Sequence, residues 1–388
     1  MNSALKAIIE LCIEEDLLPK SLDVLEYLLS TTSIPIPACY IRMCITLLVH
    51  PEYPTSSNIQ ESCNWILQQV VENRSKINFD AWSFENDLSD NDMPKENYLK
   101  IFSNQCLFTQ DVDYWDLIAY MSSRPPDLER WMSLMDIWLR ILEIDAEENG
   151  SALMKKYMGE DLCELQDAIR ICFSCFTLPQ QTMESPFATS MSKAPAKTES
   201  RGSNSFEGTS RLANLGAKLL CLIWAMLPKG RFFVVHLTDA FHFLSKLDER
   251  FSKLNAKQQD LFFGNLGASN LRYCLSQYIL MKGIGIGINI RHTRCEFTKQ
   301  LTQLLPTSLP KNKIRQKLHL RAWVSFLGSA LRESDRNFDK ELFYTTLKQL
   351  YTMYQQTELV GIDRPMAILK DMLVLLDISK KLSLDKIV

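Results

Sequence analysis

Trp131, Leu134, Met135, Trp138, Leu139 and Leu142 recur at steps of three and four residues, which places all six on one stripe of a helix. Pro125 and Pro126 lie upstream as a start signal, and the run Asp145 to Gly150 (DAEENG) supplies a stop. The same period continues over 3–17, 21–30, 37–49, 57–75, 112–121, 151–177, 211–227, 232–247, 256–280, 289–304, 313–332, 338–356 and 364–380. No convincing run shows the period of two that a half-buried strand requires. The one ambiguous stretch, FFVVHL at 232–237, continues through Ala240, Phe241 and Leu244 and reads as helix. The expected fold class is all-α.

Short connections between successive helices leave two architectures open: an irregular helical-repeat solenoid of the HEAT kind, and a multi-helix bundle. No 34-residue tetratricopeptide pattern and no ankyrin signature occurs. With 13 glycines and 15 prolines in 388 residues, a hairpin-rich or glycine-rich nucleotide fold is disfavoured. A hydrophobic content of 46% is enough for two ordinary domains.

The composition changes sharply over 179–210, where Ser, Thr, Pro and Ala replace large apolar side chains. Such a stretch cannot offset its ordering entropy by burial, so it is read as a disordered linker between helical lobes 1–178 and 211–388. A second polar stretch, ENDLSDNDMPKE at 85–96, is read as a loop inside the first lobe.

The two lobes carry opposite charge. Residues 1–180 hold 13 Lys and Arg against 29 Asp and Glu, a net of −16, whereas 211–388 hold 27 against 14, a net of +13. The overall −3 conceals this polarity, which marks a protein that binds partners through its surfaces. The densest cationic run is KNKIRQKLHLR, with Lys311, Lys313, Arg315, Lys317 and Arg321. On a helix beginning near Asn312, Lys313, Lys317 and Arg321 share one face, while Ile314, Leu318 and Leu320 are expected to turn inward. Such a ridge suits a phosphate backbone, contacted through counterion release. The competing reading is a solvated helix face, or a set of ion-pair partners for the acidic lobe.

Motifs for chemistry are sparse. Eleven cysteines, at 12, 39, 44, 63, 106, 163, 172, 175, 221, 274 and 295, lie mostly within apolar helical patterns and are read as reduced core thiols. Cys172 and Cys175 have CxxC spacing but no second pair to complete a zinc site, so they too are assigned to a buried helix. Gly283, Gly285 and Gly287 lack the Lys-Ser/Thr of a phosphate-binding loop and are read as a turn between helices. The five histidines are scattered, and neither GxSxG nor the kinase signatures occur. No catalytic, metal or cofactor site is expected, leaving an enzyme only if its site is assembled from distant residues. The start, MNSALKAIIELCIEED, shows no signal peptide, and the most apolar run, LLCLIWAML, is half of a bilayer span. Among seven tryptophans, Trp115, Trp131 and Trp138 fall within 24 positions and are candidate protein-interface anchors beside their core role.

The segments DYWDLIAYM (113–121) and ERWMSLMDIWLRILEIDAEE (129–148), together with length and helical make-up, resemble the non-SMC element five family, subunits of the SMC five/six DNA-repair complex. The resemblance implies a non-catalytic subunit that pairs with non-SMC element six. It further implies regulation of the SMC core on DNA during recombination and repair, in the nucleus and on chromosomes. The alternative is a helical adaptor of another nuclear or cytoplasmic assembly.

Overall fold

A computed structural model describes residues 7–9, 11–12, 17–32, 36–49, 57–74, 77, 79, 128–158, 165–181, 201–227, 239–285, 288, 290, 297–305, 308–331 and 339–384. Among these the regular elements are all α-helices, so the chain is all-α. They are α1 (Leu18–Thr31), α2 (Ala38–Val49), α3 (Ser57–Glu72), α4 (Leu128–Glu148), α5 (Ala152–Met158), α6 (Leu165–Gln181) and α7 (Arg201–Met226). They continue as α8 (Asp239–Phe251), α9 (Ala256–Asn265), α10 (Asn270–Ile284), α11 (Phe297–Leu304), α12 (Lys313–Leu331), α13 (Lys340–Gln355) and α14 (Asp363–Leu384). The chain divides into two compact units, Met1–Leu222 and Ile223–Val388, and the boundary falls inside α7. The charge polarity survives this division: 18 cations against 32 anions in unit 1, and 25 against 14 in unit 2.

In unit 1, α1 and α2 both pack on α3, and α4 packs on α2 and α3. Leu22, Leu25, Leu28 and Leu29 form the buried stripe of α1, each such side chain stabilising by about 1.5–3 kcal/mol. On α4 the predicted stripe is buried from Leu134 to Leu142, and Ile137 and Ile141 widen it. Asp136, Arg140 and Glu143, three or four apart, are left as the outer face. The helix stops where the sequence says it should. Gly150 and Ser151 take φ of +61° and +63° in the left-handed region, and the buried Asp145 carboxylate accepts the Leu153 N–H at 2.8 Å, capping the start of α5.

Unit 1 is built around thiols and apolar side chains. Cys44 and Cys63 are wholly buried; the hydrogen bond to Cys63 and then burial push the Cys44 thiol well above the ordinary range. Cys172 and Cys175 are equally buried in α6, and burial pushes the Cys175 thiol up to about 12. Gly216 of α7 is the reason α6 and α7 approach closely: a Cβ there would lie 2.8 Å from the Cys172 carbonyl oxygen and 2.8 Å from the Cys175 Cβ.

Unit 2 is organised around α10 and α12, which share its most extensive helix packing, with α8, α9, α11 and α14 packed on one or the other. Aromatic rings fill the spaces between them: Trp224 stacks on Phe243, Phe251 meets Phe262 and Phe263, and Tyr273 stacks on Phe326. Polar groups reach across helices as well. The Trp224 indole N–H donates to the Asn270 side-chain carbonyl at 3.0 Å, the Tyr273 hydroxyl donates to Gln300, and Lys282 pairs with Asp248 at 2.6 Å.

The boundaries differ from expectation at four places. The single helix expected over 256–280 is two, because Asn255 forms a capping box with Gln258, Gly267 turns the chain at φ +59°, and Ser269 caps a new start. The stripe at 151–177 is divided between α5 and α6, with 159–164 outside the described residues. Residues 201–210, read as linker, open α7 instead. Once the apolar stretch from Leu212 is packed, each added residue extends an existing helix without the cost of nucleation. Gly283 belongs to α10 rather than to a turn, and Gly285 at φ +75° is the cap. A Cβ on Gly283 would meet the His319 ring at 2.9 Å, so its absence lets α10 and α12 close. The segments 182–200, 85–96 and 228–238 lie outside the described residues.

Candidate nucleic-acid interface

The cationic run of unit 2 occupies the turn before α12 and its first two turns. Asn312 acts as the cap, its side-chain oxygen accepting the N–H groups of Ile314 at 2.8 Å and Arg315 at 3.3 Å. Gln316 fixes the preceding turn by donating to the Pro310 carbonyl at 2.6 Å. Lys311, Lys313 and Arg315 are exposed and Lys317 is half-buried. None of these four pairs with a carboxylate among the described residues. The first turn of α12 contains no acidic residue, so several cations crowd the end of a helix that already carries partial positive charge. Like charges gathered there repel one another, and a nearby anion would offset that repulsion.

Arg321 does not belong to this surface. Only 3% exposed, it donates to the Asp260 carboxylate at 2.7 Å and to the Gly361 carbonyl at 2.7 Å. Helix α12 is exposed at its start and buried on nearly every face from Leu318 onward, so the four-residue step that links Lys313, Lys317 and Arg321 runs from solvent into the interior. Ile314 departs from expectation in the opposite sense: it is 63% exposed, with no helix covering the first turn at that point among the described residues. Leu318 and Leu320 are buried as expected.

One turn further in, His319 is buried against Trp323, and its Nδ1 lies 2.9 Å from the Tyr354 hydroxyl. That hydroxyl also reaches the Gln316 carbonyl at 3.3 Å. Burial holds the His319 imidazole down at about 4 and raises the Tyr354 phenol. Both are therefore neutral near pH 7 and tie α12 to α13. Sequence inspection leaves His319 as one of five scattered histidines; the signal it offers is its position four residues before Trp323 on a helix.

Of the tryptophans singled out, Trp138 is wholly buried within unit 1. Its ring is core of this unit and not a presented anchor. Trp131 lies on α4, with only its backbone described, and Trp115 lies outside the described residues. Among the described residues no helix is long and apolar enough to cross a membrane, and no group of three or more His, Cys, Asp or Glu is placed to hold a metal ion.

The sequence model of one protein family, described as DNA repair proteins Nse5 and Nse6, matches residues 1–387. No solved structure matches the chain.

Proposed function

The chain belongs to the Nse5 family of DNA repair proteins, and from that premise we propose that it is a non-catalytic scaffold subunit of the SMC five/six complex, paired with Nse6. In this reading it acts in repair and recombination on chromosomes in the nucleus. The observation that carries the reading is the match along the whole chain, which makes both units parts of one family architecture. Opposite net charges on the two units support a division of labour, with acidic unit 1 docking protein partners and the cationic start of α12 meeting DNA phosphates.

Two measurements test it. Reversal of Lys311, Lys313, Arg315 and Lys317 to Glu in the reconstituted complex should weaken DNA retention and flatten its salt dependence, by roughly 0.9 in the log–log slope for each phosphate no longer neutralised. Identical retention across a salt titration would remove the DNA role. Co-purification with Nse6 should weaken as salt is raised if the acidic surface drives docking. Failure to co-purify at any salt would reject the pairing itself.

A further inference from the structure

A cavity of about 90 Å³ opens within unit 2 between α9, α10, α12 and the first turn of α14. Three arginines line it, Arg272, Arg321 and Arg364, against one acidic residue among the described residues, Asp260. The described lining therefore carries a net of two positive charges. Room for several waters is also room for one tetrahedral oxyanion.

The donors there are only partly used. Arg321 spends one N–H on Asp260, one on Gly361 and a long one on the Lys317 carbonyl at 3.5 Å. Its remaining N–H hydrogens have no acceptor among the described residues, although the side chain is 2% exposed. Ser325, 1% exposed, accepts from Arg272 Nε at 2.6 Å, which leaves its own hydroxyl hydrogen without an acceptor among the described residues. Arg364 stands exposed at the mouth with no carboxylate partner among the described residues. It sits beside the exposed Asp363 in the first turn of a 22-residue helix, whose N-terminal partial positive charge also favours an anion; Asp363 does not line the cavity among the described residues. Buried donors facing a cavity without acceptors are costly, and a bound acceptor removes that cost.

We propose that this pocket receives the phosphomonoester of a phosphorylated serine or threonine on a protein partner, held by Arg364, by the uncommitted N–H groups of Arg321 and by the Ser325 hydroxyl. Two features select this ligand. A phosphomonoester near pH 7 carries about −1.5 to −2 charge, matching the lining, whereas a backbone phosphodiester carries one and is flanked by sugars on both sides. The rest of the wall is apolar, from Phe263, Val324 and Ile368, which suits the short carbon stem of a side chain better than a ribose. Clustered arginines reading a phosphorylated side chain are a recurring mode of recognition. The site is distinct from the cationic start of α12 and does not rest on DNA contact.

The test uses the full chain and ³¹P resonance broadening of a five-residue alanine peptide with phosphoserine at its centre. Saturable broadening is expected, competed by inorganic phosphate and absent for R364E, in which affinity falls at least about tenfold. Because Arg364 is exposed, the variant keeps its fold, checked by circular dichroism. A quadruple charge reversal at the start of α12 should leave the peptide signal intact. The proposal is overturned by no saturable broadening, by equal binding to R364E, or by a 5′-phosphorylated tetranucleotide that outcompetes the peptide with the same Arg364 dependence, which would assign the pocket to a DNA end.

Discussion

Unit 1 and unit 2 are both helical, yet their described interiors use different chemistry. Among the described residues, unit 1 buries apolar side chains and thiols where its helices meet, and polar links such as the Ser133 hydroxyl donating to Asn64 at 3.0 Å and the exposed Arg74 pairing with Glu147 at 3.0 Å lie nearer the surface. Unit 2 threads ion pairs and a histidine–tyrosine link through an aromatic interior. Burial of charge is a poor source of net stability, but removing one partner is severe. So the basic half of the protein does not present all its charge to a partner: part of it is committed to its own interior.

Breaking the Arg321–Asp260 pair sharpens that contrast most. Arg321→Met should destabilise unit 2 by about 3–5 kcal/mol, since Asp260 is left half-enclosed without its cation. Hydrogen exchange would show protection falling across α9, α12 and α14 while α1–α4 keep theirs. Replacing Asp260 by Leu in the same chain should recover much of the loss, which a purely steric effect of Met would not allow.

The His319 link yields a pH effect confined to unit 2. Its folded-state value of about 4 lies below the ordinary 6.5, so the unfolded chain binds more protons between those limits. Stability is fully present above about pH 6.5 and falls as pH drops toward 4, by about 3 kcal/mol at most. Chemical denaturation at pH 7, 6 and 5 should trace this slope, and His319→Gln should flatten it. A slope unchanged in that variant would place the titration elsewhere.

The smallest effect belongs to unit 1. Gly216→Ala should cost about 1–3 kcal/mol, because the added carbon meets the Cys172 carbonyl oxygen, which cannot yield as a flexible side chain does. Thermal melts with unit-specific exchange would show the loss in α6 and α7. If unit 2 weakened equally, the separation drawn between the two cores would fail.

What can be read in advance follows from which interactions are local. A stripe such as Leu22, Leu25, Leu28 and Leu29 reports burial along one helix, so most helices are legible, as is the opposition of charge. The break at Gly267 is not, because a helical stripe tolerates a glycine and only its left-handed φ reveals the turn. Arg321 falls on a solvent ridge by periodicity alone because a four-residue step says which face a residue shares, not what covers it. Its partners Asp260 and Gly361 are 61 and 40 residues away, beyond any local pattern. The same distance explains why the arginine-lined cavity is invisible in the sequence: Arg272, Arg321 and Arg364 come from three helices that only tertiary packing assembles.

The enclosed sulfur atoms of unit 1 have a practical consequence. Cys44, Cys63, Cys172 and Cys175 are sealed from solvent, and a thiol reacts with an alkylating reagent only when it is both ionised and reachable. Each is therefore a silent clock, and the rate at which maleimide captures it counts how often that part of the protein breathes open.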